Sequence, residues 1–196
     1  MNAVVDDDNS TSSNPNPDGN KRLSEDEISD QLLDVPTGHH YLIIYPTIET
    51  MRKVYASYIK RQLEVQPNSV FLFLPYYDTT DNVRGVLSSK DIHVKEREKE
   101  GSMIILDIMK VIQSSLFEVP DIEKLREFVI ADMSVFNHLH KPDELLEYEK
   151  TLHKDLKVER WKELCLYNKR DFETMFTEDQ SNTLLEYHKD KVILMN

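Results

Sequence analysis

Short apolar runs alternate with stretches of helical spacing along most of this chain. His40-Tyr-Leu-Ile-Ile-Tyr45 is rich in β-branched and aromatic residues and stops at Pro46. Behind it, Ile48, Met51, Val54, Tyr55, Tyr58, Ile59 and Leu63 recur on one helical face. The pair reads as strand then helix. Val70-Phe-Leu-Phe-Leu74 repeats the pattern after the turn at Pro67-Asn68, with a short helix expected over 81–87. Residues 92–97 alternate as a strand with one solvated face would, and Gly101-Ser-Met-Ile-Ile-Leu106 reads as a buried strand beside it. A helix is predicted over 109–116. Glu127-Phe-Val-Ile-Ala131 either continues a helix begun at Asp121 or forms a strand, and its β-branched and aromatic content selects the strand. After Lys141-Pro142, residues 143–152 form a helix whose face is set by Leu145, Leu146, Glu149 and Leu152. Glu163-Leu-Cys-Leu-Tyr167 is then a strand, 181–188 a helix and 191–195 a closing strand. This order predicts a three-layer α/β fold, with a mostly parallel central sheet and helices on both faces.

The ends of the pattern set the domain organisation. Residues 1–23 are polar and turn-forming, with almost nothing to bury, and are expected to be a disordered tail. Ser24-Glu-Asp-Glu27 has capping-box spacing ahead of Ile28, Leu32 and Leu33, so 24–37 reads as a short amphipathic helix and linker. That helix is expected to lie against its own domain rather than to dock a partner. The α/β domain itself should run over 38–196. The longest apolar runs are strand-sized, far below the roughly 20 residues of a membrane span, so no membrane association is expected. The N-terminus lacks the basic start and apolar run of a secretory signal, which points to the cytoplasm. A single cysteine, Cys165, excludes an internal disulfide and any multi-cysteine zinc site. A net charge of −12 disfavours contact with a phosphate backbone, since the basic residues over 95–99 and 189–191 alternate with acids. Direct nucleic-acid binding is not expected.

Motif chemistry is mostly negative. Open parallel sheets place ligands at the carboxyl ends of their strands, and a nucleotide there needs a glycine-rich loop. The four glycines, Gly19, Gly38, Gly85 and Gly101, are too far apart for either common phosphate-binding motif, and Tyr45-Pro-Thr-Ile-Glu-Thr50 after the first core strand offers no lysine. No nucleophile elbow, His-Glu-x-x-His helix or EF-hand loop is present. Candidate side chains remain at His39 and His40, at Asp132, at Cys165 and Tyr167, and at His188. A histidine and a cysteine at strand ends can bind a soft metal, and a histidine can serve as acid or base. The plainer alternatives are a buried histidine satisfied by backbone, a core cysteine, and an aspartate capping the loop before Asn137. No residue is assigned as catalytic or as a metal ligand, and no cofactor is expected.

Taken together, Gly38-His-His40-Tyr-Leu-Ile-Ile-Tyr45, Ala131-Asp-Met-Ser134, Leu145-Leu-Glu-Tyr-Glu149, Leu164-Cys-Leu-Tyr167 with Phe172, and His188 resemble the MEDS domain, the methanogen and methylotroph DcmR-type sensory domain. The resemblance covers 38–196 in order and rough spacing. It implies a RecA- and KaiC-like fold without the phosphate-binding loop, and a sensor of small hydrocarbon derivatives. The family's recurring His, Cys, Tyr and late His map onto His40, Cys165, Tyr167 and His188. Asp132 departs from the family's usual Glu, and 107–128 is shorter than the usual crossover, so a helix there is expected to be reduced. With no output domain attached, the resemblance implies a stand-alone sensory module. It would bind a small organic ligand near the strand C-terminal ends through His40, Tyr45, Asp132, Cys165, Tyr167 and His188. It would signal through a separate protein such as a histidine kinase or transcription regulator, and a homodimer is expected. Two rivals make different demands. A protein-interaction module calls for exposed aromatics, with Tyr76, Tyr77 and Trp161 as the ones to inspect. A metal-dependent or acid-base enzyme calls for His40, His188, Cys165 and Asp132 in one pocket. Residual ATPase activity is disfavoured, since no lysine and glycine cradle stabilises a transferred phosphate.

Overall fold

The computed structural model describes residues 25–34, 36–113, 127–159, 161–188 and 192–195. The tail expected over 1–23 and the expectations for 114–126 lie outside them. The described elements run α1 (Glu25–Leu33), β1 (His40–Tyr45), α2 (Ile48–Val65), β2 (Phe71–Leu74), α3 (Thr80–Ser88), α4 (Val94–Glu100), β3 (Met103–Ile105), α5 (Ile108–Gln113), β4 (Phe128–Asp132), α6 (Val135–His138), α7 (Pro142–Glu159), β5 (Lys162–Asn168), α8 (Lys169–Met175), α9 (Glu178–Tyr187) and β6 (Val192–Leu194). The six strands form one sheet in the order β3-β2-β4-β5-β1-β6, and every pairing is parallel. Parallel neighbours need crossovers, and the helices that make them cover both faces.

Strand parity divides the core in two. Tyr41, Ile43 and Tyr45 of β1 and Leu164 and Leu166 of β5 pack with Ile28 and Leu32 of α1 and with Met51, Val54, Tyr55 and Ile59 of α2. Leu42 and Ile44 of β1 and Cys165 and Tyr167 of β5 face the other way, against Leu145, Leu152 and Leu156 of α7 and Leu184 of α9. His40 and Glu163 share the parity of this second set and are paired in register. The central strands are buried on both faces, so they read as apolar runs, and each fully buried leucine or isoleucine contributes about 2 kcal/mol. Helix α1 lies on α2, where Arg61 pairs with Asp26 at 3.4 Å and with Asp30. No helix among the described residues is long and apolar enough to cross a membrane.

Local chemistry corrects one reading and adds one helix. The strand expected over 92–97 is instead helix α4. Its alternation rested on Ile92 and Val94 alone, whereas the following Lys, Glu and Arg residues favour a helix that Gly101 ends at φ 75°. Helix α8 follows β5 directly because the Asn168 side chain caps it, accepting from Arg170 N–H at 3.1 Å.

Candidate functional site

A buried carboxylate lies at the centre of the second core. Leu145, Glu149, Leu152 and Leu156 occupy one stripe of α7, and all four are buried. Because the stripe faces the sheet, Glu149 is carried onto His40 of β1 and onto Cys165 and Tyr167, which point the same way from β5. His188, the cap residue at the end of α9, closes the group. Glu149 Oε2 lies 3.3 Å from His40 Nδ1, 3.4 Å from His188 Nε2 and 3.7 Å from Cys165 Sγ. Cys165 Sγ is 3.9 Å from His40 Nδ1, and Tyr167 Oη donates to Glu149 Oε1 at 2.5 Å. The outer nitrogens are held as well, His188 Nδ1 by the Leu184 carbonyl at 2.9 Å and His40 Nε2 by His153 Nδ1 at 3.2 Å. None of His40, Glu149, Cys165, Tyr167 and His188 is more than 3% exposed.

The electrostatics of this group are unusual. Burial alone would push the Glu149 carboxyl up, but His188 in its protonated form, the His40 imidazole and the Tyr167 hydroxyl outweigh it and hold the carboxyl below its ordinary range. Burial pushes the His188 imidazole down to about 4, against the pull of Glu149. The Cys165 thiol is pushed well up by burial and by the Glu149 and Glu163 carboxylates, and so is protonated as it stands. That argues against a nucleophilic thiol, which needs an accessible, electropositive setting. His188 Nε2 has no hydrogen-bond partner, although it is buried and faces a carboxylate oxygen.

Tyr45 and Asp132 belong to a separate group on the opposite face, at the carboxyl ends of β1 and β4. Asp132 accepts from Tyr45 Oη at 3.1 Å, from Tyr77 N–H at 3.2 Å and from Ser134 N–H at 3.2 Å. Its burial outweighs these bonds and raises the carboxyl to about 6. The Ser134 contact is the loop cap weighed as the plainer alternative for Asp132. Nearby, Tyr77 Oη donates to Asp171 at 2.6 Å and Asn137 Nδ2 donates to the same carboxylate at 2.8 Å. The six sequence candidates therefore divide. His40, Cys165, Tyr167 and His188 converge, whereas Tyr45 and Asp132 do not join them. The converging set also departs from the expected place, because His40 opens β1 and Cys165 lies in the middle of β5, away from the strand C-terminal ends. Of the aromatics, Trp161 is buried, and Tyr77, at 41% exposure, has its hydroxyl engaged.

Glu149 itself was missed as a site residue. Its signal was a carboxylate in the middle of a leucine stripe, where a charge must find partners. No family model and no curated protein matches the chain. Among solved structures, a KaiC-like protein from the hyperthermophilic archaeon Pyrococcus horikoshii OT3 superposes with a TM-score of 0.55 at 14% identity, over 76% of this chain and 68% of that one. The fold is KaiC-like, of the RecA type. Within it, the turn after β1 is closed by Thr47, whose hydroxyl accepts from Thr50 N–H at 3.2 Å to cap α2, and Glu49 occupies the first turn of that helix.

Proposed function

We propose that this protein is a non-hydrolytic sensory module of the MEDS type, which receives a small signal at the His40, Glu149, Cys165, Tyr167 and His188 cluster and passes it to a separate signalling partner. The carrying observation is convergence. The short motifs that resemble the MEDS domain are scattered from residue 40 to residue 188, yet four of their polar side chains meet on the Glu149 carboxylate in one closed place. A binding role suits that enclosure better than turnover does, since a reaction needs an open position for its substrate. The acidic first turn of α2 and its own threonine cap likewise disfavour a nucleotide phosphate there.

The reading is tested by thermal unfolding of the full chain against divalent cations, small oxygenated or halogenated hydrocarbons, and Mg-ATP, with Glu149→Gln run in parallel. One of the first two classes should raise the wild-type midpoint and leave Glu149→Gln unmoved. Stabilisation by Mg-ATP with hydrolysis would refute it, as would the absence of any Glu149-dependent response.

A further inference from the structure

The same cluster identifies the class of its guest, an inference that rests on the sensory reading and sharpens it. His40 Nδ1, Glu149 Oε2, Cys165 Sγ and His188 Nε2 all lie within 4.8 Å of one another. Zinc held at about 2.0–2.1 Å by nitrogen and oxygen and about 2.3 Å by sulfur would centre a tetrahedron with edges of about 3.3–3.6 Å. The edges found here are 3.3 Å and 3.4 Å from Glu149 to the two imidazoles, 3.7 Å from Glu149 to sulfur, and 3.9 Å from sulfur to His40. A shift of a few tenths of an ångström would bring these four edges onto the ion, and the two that run from His188 Nε2 to His40 and to Cys165 close from within 4.8 Å.

His188 adds an independent observation. Its Nδ1 is 2.9 Å from the Leu184 carbonyl, so the proton belongs on that nitrogen and Nε2 presents a lone pair. That lone pair is fully buried, has no hydrogen-bond partner and stands 3.4 Å from a carboxylate oxygen. Two lone pairs facing each other in a dry interior repel, and a cation between them turns the repulsion into two bonds. The outer contacts are those of metal ligands: a carbonyl on His188, a second imidazole on His40 and a phenol on the free oxygen of Glu149.

We infer that His40, Glu149, Cys165 and His188 form a closed tetrahedral site for a divalent transition metal, with zinc as the ion that suits two nitrogens, one oxygen and one sulfur. Charge favours the assignment, because a divalent cation with one thiolate, one carboxylate and two neutral imidazoles sums to zero, which a buried site tolerates. On binding, the Cys165 S–H bond breaks, the sulfur keeps the electron pair and bonds the metal, and the proton leaves to solvent with no change of oxidation state. Four protein donors leave no open position, so the ion organises the fold rather than activating a substrate. The donors come from β1, α7, β5 and the end of α9, so metal loading ties the C-terminal helix to the sheet, and that is the route by which a signal would reach the surface.

The test uses the full chain, stripped with a chelator, reloaded with zinc and then with cobalt. About one zinc per chain should survive gel filtration, and the cobalt form should show a thiolate-to-metal charge-transfer band and tetrahedral d–d absorption. Cys165→Ser should lose the charge-transfer band, and His188→Gln should weaken zinc binding by about tenfold or more. The cobalt spectrum of the wild type needs no variant and guards against misfolding. Retention below about one-tenth of an equivalent with no cobalt band overturns the site. So does equal retention by Glu149→Gln/His188→Gln. Should zinc be refused while a hydrocarbon derivative still gives a Glu149-dependent response, the metal falls and the sensory reading stands. ATP hydrolysis would remove the sensory reading itself.

Discussion

Asp132, at the end of β4, and Glu149, on α7 against the other face of the sheet, are both wholly buried carboxylates, and their surroundings differ in kind. Asp132 is met by two backbone N–H groups and a phenol, donors that its own chain supplies and that need no further guest. Glu149 is met by one phenol on one oxygen, and on the other by two imidazoles and a thiol. Asp78 offers a third arrangement, a buried carboxylate answered by Arg52 through contacts of 2.8 Å. Among the described residues no lysine or arginine plays that part for Glu149. A buried charge satisfied by hydrogen bonds or by a fixed cation is architecture, whereas one that also faces a buried imidazole lone pair suits a bound cation.

The largest effect should come from the metal. At free zinc about a thousandfold above the dissociation constant, binding adds about 4 kcal/mol, so chelation should lower the melting midpoint of a chain this size by about 10 °C. Calorimetry with and without chelator measures this, and Asp132→Ala should retain the increment. Next in size, Asp132→Ala itself leaves the Tyr45 hydroxyl and two amides without an acceptor, and should cost about 3 kcal/mol by urea unfolding with or without zinc. A zinc-dependent loss there would merge the two regions and break the comparison.

Titration of Asp132 is a smaller test. Its carboxyl lies at about 6 in the fold, against roughly 3.9 unfolded, so the native state binds the extra proton between those values. Its contribution to stability is therefore fully present below about pH 4 and is lost as pH rises through 6. The amount is on the order of 2 kcal/mol, read as the difference between wild type and Asp132→Asn in unfolding from pH 4 to 7. The smallest effect sharpens the comparison most. Glu149→Gln keeps the Tyr167 contact and gives His188 Nε2 an amide donor, so the metal-free protein should gain about 1 kcal/mol while the zinc increment vanishes. A loss of stability in the metal-free variant would mean that Glu149 was already satisfied.

How much of this was legible in the sequence depends on the period being read. The three-layer parallel architecture followed from apolar runs alternating with helical stripes, and those runs became β1, β2, β3, β4, β5 and β6. The two-residue period of β5 already placed Cys165 and Tyr167 on one face. The register that sets β5 beside β1, and brings His40 to that face, is a long-range fact that no local pattern carries. Tyr45 and Asp132 were grouped with His40 because all lie near strand ends, but strand parity sends them to the other side of the sheet. Glu149 was visible as a break in a leucine stripe and was read as part of the helix face. The mistaken strand over 92–97 had the opposite cause, a period of two resting on Ile92 and Val94 alone.

X-ray absorption at the zinc edge of the reloaded full chain tests the central claim most directly. The account predicts one sulfur at about 2.3 Å and three nitrogen or oxygen neighbours at about 2.0–2.1 Å, with imidazole scattering from two histidines and the sulfur absent in Cys165→Ser. A zinc shell without sulfur, or one unchanged by Cys165→Ser, would place the ion elsewhere and contradict the account.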